Sequence, residues 1–146
     1  MVIRDKPLVL TASPPCTVFS VANQGPSDPR EMTDANELMR FAVGMCNLQL
    51  SADRHIVLEQ PLTTRAWALE PVIKHAATED VMTKEFHQSM YGLTAVDQLG
   101  SAPAYKPTRV LTNHLPFTEV LTRRCDGSHR HAQLVGNHAF TGAAQY

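Results

Sequence analysis

Apolar residues in the first two thirds of the chain fall into two kinds of run that alternate, and the alternation predicts an architecture. Leu8-Val9-Leu10, stopped by Pro14-Pro15, and His55-Ile56-Val57-Leu58, stopped by Pro61, are short and rich in leucine and β-branched residues. Proline has no amide hydrogen to give a ladder, so each run reads as a buried strand with a proline stop. Val81 to Phe86 predicts a third strand and Arg109-Val110-Leu111-Thr112-Asn113 a fourth.

Between the strands the apolar spacing becomes helical. Leu38, Phe41, Ala42, Met45, Leu48 and Leu50 predict a helix capped by Thr33 or Asp34 and ending near Ala52-Asp53. Thr63 or Thr64 caps a second helix through Trp67, Leu69, Val72 and Ile73, which Pro71 kinks or breaks. Strand, helix, strand, helix, strand implies an α/β fold, a partial Rossmann-like, mostly parallel sheet with flanking helices. The turn-forming stretch 21–29 reads as a surface loop, 94–104 as a long hairpin connection, and Thr118 to Arg124 as a short helix. The whole of 1–146 reads as one domain, with an αβ core over 7–113 and a Cys/His-containing C-terminal segment over 114–146.

Composition narrows the function. A chain of 146 residues buries a core without disulfides or metal. A net charge of −1 gives no global basic field, so any nucleic-acid contact is local. The three cysteines, Cys16, Cys46 and Cys125, are odd in number and widely spaced, which argues for a reducing compartment, cytoplasm or nucleus. No apolar run approaches the ~20 residues of a membrane span, and Met1 to Lys6 lacks the apolar region of a signal peptide. A soluble protein without a membrane partner is expected.

Three groups of residues carry candidate chemistry. Cys16 lies just past a strand's carboxyl end, the edge at which open α/β sheets bind ligands; it is a nucleophile there or, as free cysteines commonly are, a packing residue. Cys125-x3-His129-x-His131, with His138 further on, offers a thiolate and imidazoles, the donor types zinc takes, although it lacks a paired Cys-x2-Cys, and such residues in a polar loop are more often solvated or hydrogen-bonded than metal-bound. Arg123, Arg124 and Arg130 form either a phosphate grip or a solvated basic face, with no aromatic residue interleaved for base stacking.

Ser13-Pro14-Pro15-Cys16-Thr17, Phe19-Ser20, Glu59-Gln60-Pro61, Tyr91-Gly92, Lys106-Pro107-Thr108-Arg109 with Thr112-Asn113, and a downstream cysteine with paired histidines occur in one order. In that order they resemble the cytosine-5 DNA methyltransferase family, over most of 7–113, and in particular its divergent relatives in phages and mobile-element polyproteins. The resemblance implies that Cys16 attacks carbon 6 of a flipped cytosine and that Glu59 hydrogen-bonds the ring nitrogen and amine. It implies that Arg109 positions the base or Glu59, and that Pro14 and Pro15 lie against S-adenosylmethionine, the methyl donor. DNA is the implied partner.

The sequence departs from the family where Gln60 and Pro61 follow Glu59, and where Tyr105 and Pro107 precede Arg109. The family's cofactor strand, with its glycine-rich turn and ribose-binding acid, precedes the Pro-Cys strand, and Met1 to Lys6 has no counterpart. None of the seven glycines forms a G-x-G. Three readings follow: a fragment, a chain whose partner supplies the cofactor half, or a remnant that binds without catalysis. The last is a nucleic-acid or protein interaction module, zinc-stabilised if the Cys/His group is occupied. A sheet lacking its first half leaves an open edge, which predicts a homo-oligomer or a partner chain completing it.

Overall fold

The structure, a computed structural model, describes residues 5–20, 28–132 and 140–141. Its elements are β1 (Val9–Ala12), a 3-10 turn (Thr17–Phe19), α1 (Pro29–Leu50), β2 (His55–Pro61), a 3-10 turn (Arg65–Ala68), α2 (Glu70–Ala76), β3 (Met82–His87), a 3-10 turn (Gln88–Tyr91), β4 (Thr94–Asp97), β5 (Gly100–Pro103), β6 (Pro107–Thr112), α3 (Leu115–Val120) and β7 (Phe140–Thr141). They build a mixed α/β fold with a four-stranded sheet ordered β1-β2-β6-β3 and a three-stranded sheet ordered β5-β4-β7.

The expected mostly parallel sheet is corrected. Among the described strands of the larger sheet, only β1 and β2 pair in parallel, from Val9↔His55 to Ala12↔Leu58. The pairings β2–β6 and β3–β6 are both antiparallel. The cause is an insertion. β1, β2 and β3 run the same way, as the strand–helix rhythm dictates, but β6 returns from the β4–β5 hairpin and enters between β2 and β3. Apolar periodicity reports which face of a strand is buried and carries nothing about its neighbour.

The helices differ from expectation in phase. α1 begins at Pro29 because the Asp28 carboxylate accepts the Arg30 amide at 2.8 Å, while proline supplies a first residue that needs no amide partner. Thr33 lies inside the helix, its hydroxyl donating to the Pro29 carbonyl at 2.9 Å. The buried face is Ala35, Met39, Ala42, Val43, Cys46 and Gln49, whereas Leu38, Phe41 and Leu48 are exposed. In the second helical region Thr64 does cap, accepting the Ala66 amide at 3.3 Å. Pro71 sits in the first turn of α2, so it starts the helix after a break at Leu69. The C-terminal helix spans Leu115–Val120, earlier than predicted, and the connection expected over 94–104 carries two strands of its own, β4 and β5.

The main core lies between α1, α2 and one face of the sheet, where Ile56, Leu58 and Leu111 meet Met39, Val43, Cys46, Phe19 and Val72. On the opposite face Val57, Phe86 and Val110 are covered by Leu121. Among the described residues, the cluster at the smaller sheet and the adjoining bridge buries Ala95, Ala102, Ala104 and Ala132, with Leu93 against them. Polar clamps close the ends of the larger sheet. Buried Gln49 donates to the carbonyls of Pro7 and His55, and Asn113 both accepts the Ile56 amide and donates to the Arg54 carbonyl. Among the described residues no helix is long and apolar enough to cross a membrane.

Candidate functional site

Parallel, in-register pairing sends the carboxyl ends of β1 and β2 to one edge of the sheet. The Pro14-Pro15-Cys16 tip and the Glu59-Gln60-Pro61 tip are therefore neighbours. Gln60, 2 % exposed, joins them by donating its side-chain amide to the Pro14 carbonyl. Trp67 donates its indole N–H to the Pro61 carbonyl at 2.8 Å, and Thr64 donates to the Phe19 carbonyl at 3.4 Å, so both tips are held from the helix side.

Cys16 is a free, half-buried thiol immediately before the 3-10 turn, its carbonyl accepting the Phe19 amide at 3.0 Å. Cys46 differs sharply: it is fully buried on α1, and burial pushes its thiol up to about 11. Glu59 lies on the sheet face away from α1, opposite Val110 in the register. Its carboxylate accepts the Gln88 amide at 3.3 Å and stands 3.7 Å from the Lys106 ammonium, while Gln88 also donates to Thr108 at 3.0 Å. Gln88 and Lys106 were not singled out from the sequence as partners of this acid. The available signal was their position, Gln88 closing the third strand and Lys106 opening the Lys-Pro-Thr-Arg run.

Arg109 does not join this group. It pairs with Gln60 across the β2–β6 ladder, and because side chains alternate along a strand it lies on the face opposite Glu59. There its guanidinium donates twice to Glu85, at 3.1 and 2.7 Å, and lies 5.3 Å over the Trp67 ring. The expectation that Arg109 positions Glu59 is corrected accordingly.

S-adenosylmethionine does not fit the residues named for it. Pro14 and Pro15 have no amide hydrogen to offer, and the Pro14 carbonyl is already taken by Gln60. Pro14, Pro15 and Cys16 line neither of two cavities of about 330 and 300 Å³, one around His75 and one around Trp67.

The second candidate group is assembled in the irregular stretch after α3. The Cys125 sulfur stands 3.6 Å from His129 Nε2 and 3.3 Å from His131 Nε2, and the three donor atoms all fall within 4.8 Å of one another. A tight turn makes this close approach: the Asp126 carboxylate accepts the Ser128 amide at 2.9 Å, Gly127 takes a φ of +76° that suits glycine, and its amide points at the Cys125 sulfur at 3.3 Å. The Ser128 hydrogen bonds hold the Asp126 carboxyl below its usual range, and desolvation, with charge from His129 and His87, lowers His131.

His87 and Tyr105 border the group and were not anticipated. The Cys125 amide donates to His87 Nδ1 at 3.0 Å, and the Tyr105 ring meets His87 and His131 edge-on, with centroids 5.5 and 5.1 Å away. The arginines that read as either a phosphate grip or a solvated basic face have internal partners. Arg130 binds Asp97 through two contacts of 2.9 and 2.8 Å, Arg124 donates to Glu85, and Arg123 lies over Tyr91. His138 and the loop residues 21–27 lie outside the described residues.

No protein-family model, curated protein or solved structure gives a significant match to the chain.

Proposed function

We propose that this chain is a cytosine-5-methyltransferase-like domain that receives a pyrimidine base of DNA at the shared edge of β1 and β2. Cys16 is the nucleophile in this reading, and Glu59 the group that engages the ring nitrogen and amine. The observation that supports it is the in-register parallel pairing of the two strands, which sends the tip that carries Cys16 and the tip that carries Glu59 to the same edge, where open sheets bind ligands. Gln88 and Lys106 hold the carboxylate from behind.

The chemistry stops at base activation. The Cys16 thiolate adds to carbon 6 of an extruded cytosine, forming an S–C bond as the electron pair of the 5,6 double bond moves into the ring. Carbon 5 then takes a proton from water. Loss of a proton from carbon 5 and expulsion of the thiolate regenerate the base, so the net change is exchange of the carbon 5 hydrogen with solvent. Tritium release from DNA carrying cytosine labelled at carbon 5 tests the reading. Release by the wild-type protein, its loss in Cys16→Ser and a tenfold or larger fall in Glu59→Gln are expected. Absence of release from the wild type, or unchanged release from Cys16→Ser, rejects it.

A second reading, an interaction module stabilised by zinc, rests on the C-terminal group. A tetrahedral zinc ion with one sulfur and two imidazole nitrogens sets sulfur-to-nitrogen separations of ~3.5 Å. The observed 3.6 and 3.3 Å bracket that spacing. One zinc per chain, lost in Cys125→Ala, is the expected metal content. A stoichiometry unchanged by that substitution eliminates the assignment.

A further inference from the structure

We infer that a zinc ion on Cys125, His129 and His131 is the joint between the two sheets, and that His87 and Tyr105 are the positioning residues of that joint. The inference rests on the zinc reading above and assigns the ion a place in the architecture.

The path of the chain carries the argument. On one side of the Cys/His group the backbone lies against the edge of β3, where the His87 amide donates to the Arg123 carbonyl at 3.0 Å and the Cys125 amide donates to the His87 ring. On the other side it lies against the smaller sheet, where Ala132 donates to the Pro103 carbonyl at 2.9 Å and bridges to Ala104. Arg130, between His129 and His131, reaches Asp97 and the Gly100 carbonyl on the β4–β5 hairpin. The three metal donors thus stand where the chain passes from one sheet to the other.

Among the described residues the smaller sheet has little apolar burial. The buried cluster at it and the adjoining Ala104–Ala132 bridge is four alanines, and one methyl group each gives far less hydrophobic stabilisation than the leucine, isoleucine and phenylalanine side chains of the main core. A domain region short of apolar burial is where a metal cross-link contributes most. His87 is suited to position the sulfur ligand because Nδ1, by accepting the Cys125 amide, fixes both the loop and the imidazole tautomer. Tyr105 fills the space between His87 and His131.

The test is hydrogen–deuterium exchange on the full chain, zinc-loaded and after chelation, with metal content measured on each sample. Chelation should raise exchange at least tenfold in β4, β5 and the amides of His87, Cys125 and Ala132, and leave β2 and β6 protected. Unchanged exchange at zero zinc overturns the joint, as does loss of protection throughout the chain. A wild-type protein that takes up no zinc overturns the metal reading itself, a result the metal content identifies separately. His87→Leu should weaken zinc binding about 10-fold or more, while His87→Asn, which keeps an acceptor for the Cys125 amide, should bind within a few-fold of wild type. Equal zinc affinity in His87→Leu and wild type removes His87 from the assignment.

Discussion

The two sheets of this protein are held together by different physics. The larger one is clamped by burial: Ile56, Leu58 and Leu111 are essentially inaccessible beneath α1, and its polar groups finish the edges of an apolar core. The smaller one, whose described buried residues are alanines, is tied by polar contacts such as Arg130 to Asp97 and Ala132 to Pro103. The contrast teaches that candidate chemistry sits on both kinds of support. The Cys16–Glu59 edge is built on the rigid sheet, and the Cys/His group lies where apolar support thins out.

The strongest way to break the contrast is Leu58→Ala. It should cost about 2–5 kcal/mol because a fully buried side chain leaves a cavity, measured as a lower denaturation midpoint. Gln60→Ala should cost about 1–3 kcal/mol by leaving the Pro14 carbonyl without its donor, and it should also alter the alkylation rate of Cys16. A variant with wild-type stability and wild-type Cys16 reactivity refutes the bridge between the two strand tips.

Thiol reactivity sharpens the comparison within the larger sheet. With its thiol at about 11, only about one Cys46 in a thousand is ionised at pH 8, so native alkylation should modify Cys16 well before Cys46. Peptide mapping that finds equal rates contradicts the burial difference. Next comes pH. His75, 1 % exposed and bonded to Asn47, has its pKa lowered by burial, so the unfolded chain binds the extra proton. Stability should be unaffected by this group above its ordinary value near 6.5 and fall as pH drops below it toward the lowered folded value. The slope of stability against pH in that window should be smaller in His75→Gln; equal slopes exclude His75 as the source.

The smallest expected effect belongs to the smaller sheet. Arg130→Ala removes a partly exposed ion pair, worth about 0.2–1 kcal/mol. Its signature should be faster exchange confined to the β4–β5 hairpin.

Features written in neighbouring residues were legible before the structure. β2 spans the predicted run with its proline stop, Thr64 caps, Pro71 coincides with a break, and the compact Cys125 to His131 spacing does bring three donor atoms together. Features that depend on partners were not. Leu38 and Phe41 suggest the inner face of α1, but the buried face is Ala35, Met39, Ala42, Val43, Cys46 and Gln49, and Leu38 and Phe41 face outward. The motif resemblance gives Arg109 to the base or Glu59; the β2–β6 register, which puts it on the face opposite Glu59, is a long-range property absent from either segment. His87 and Tyr105 reach the Cys/His group across loops no local pattern describes.

The position of β6 has a consequence for assembly of the chain. Among the described residues β3 has no neighbour in its sheet except β6, so β3 cannot dock there until the chain has been synthesised through Thr112. Until then β2 carries an unpaired edge of high β-propensity, while β1, α1 and β2 already form a local unit. Closure of the sheet is therefore a late, long-range event, the kind of step that slows folding and exposes a nascent chain to misassociation.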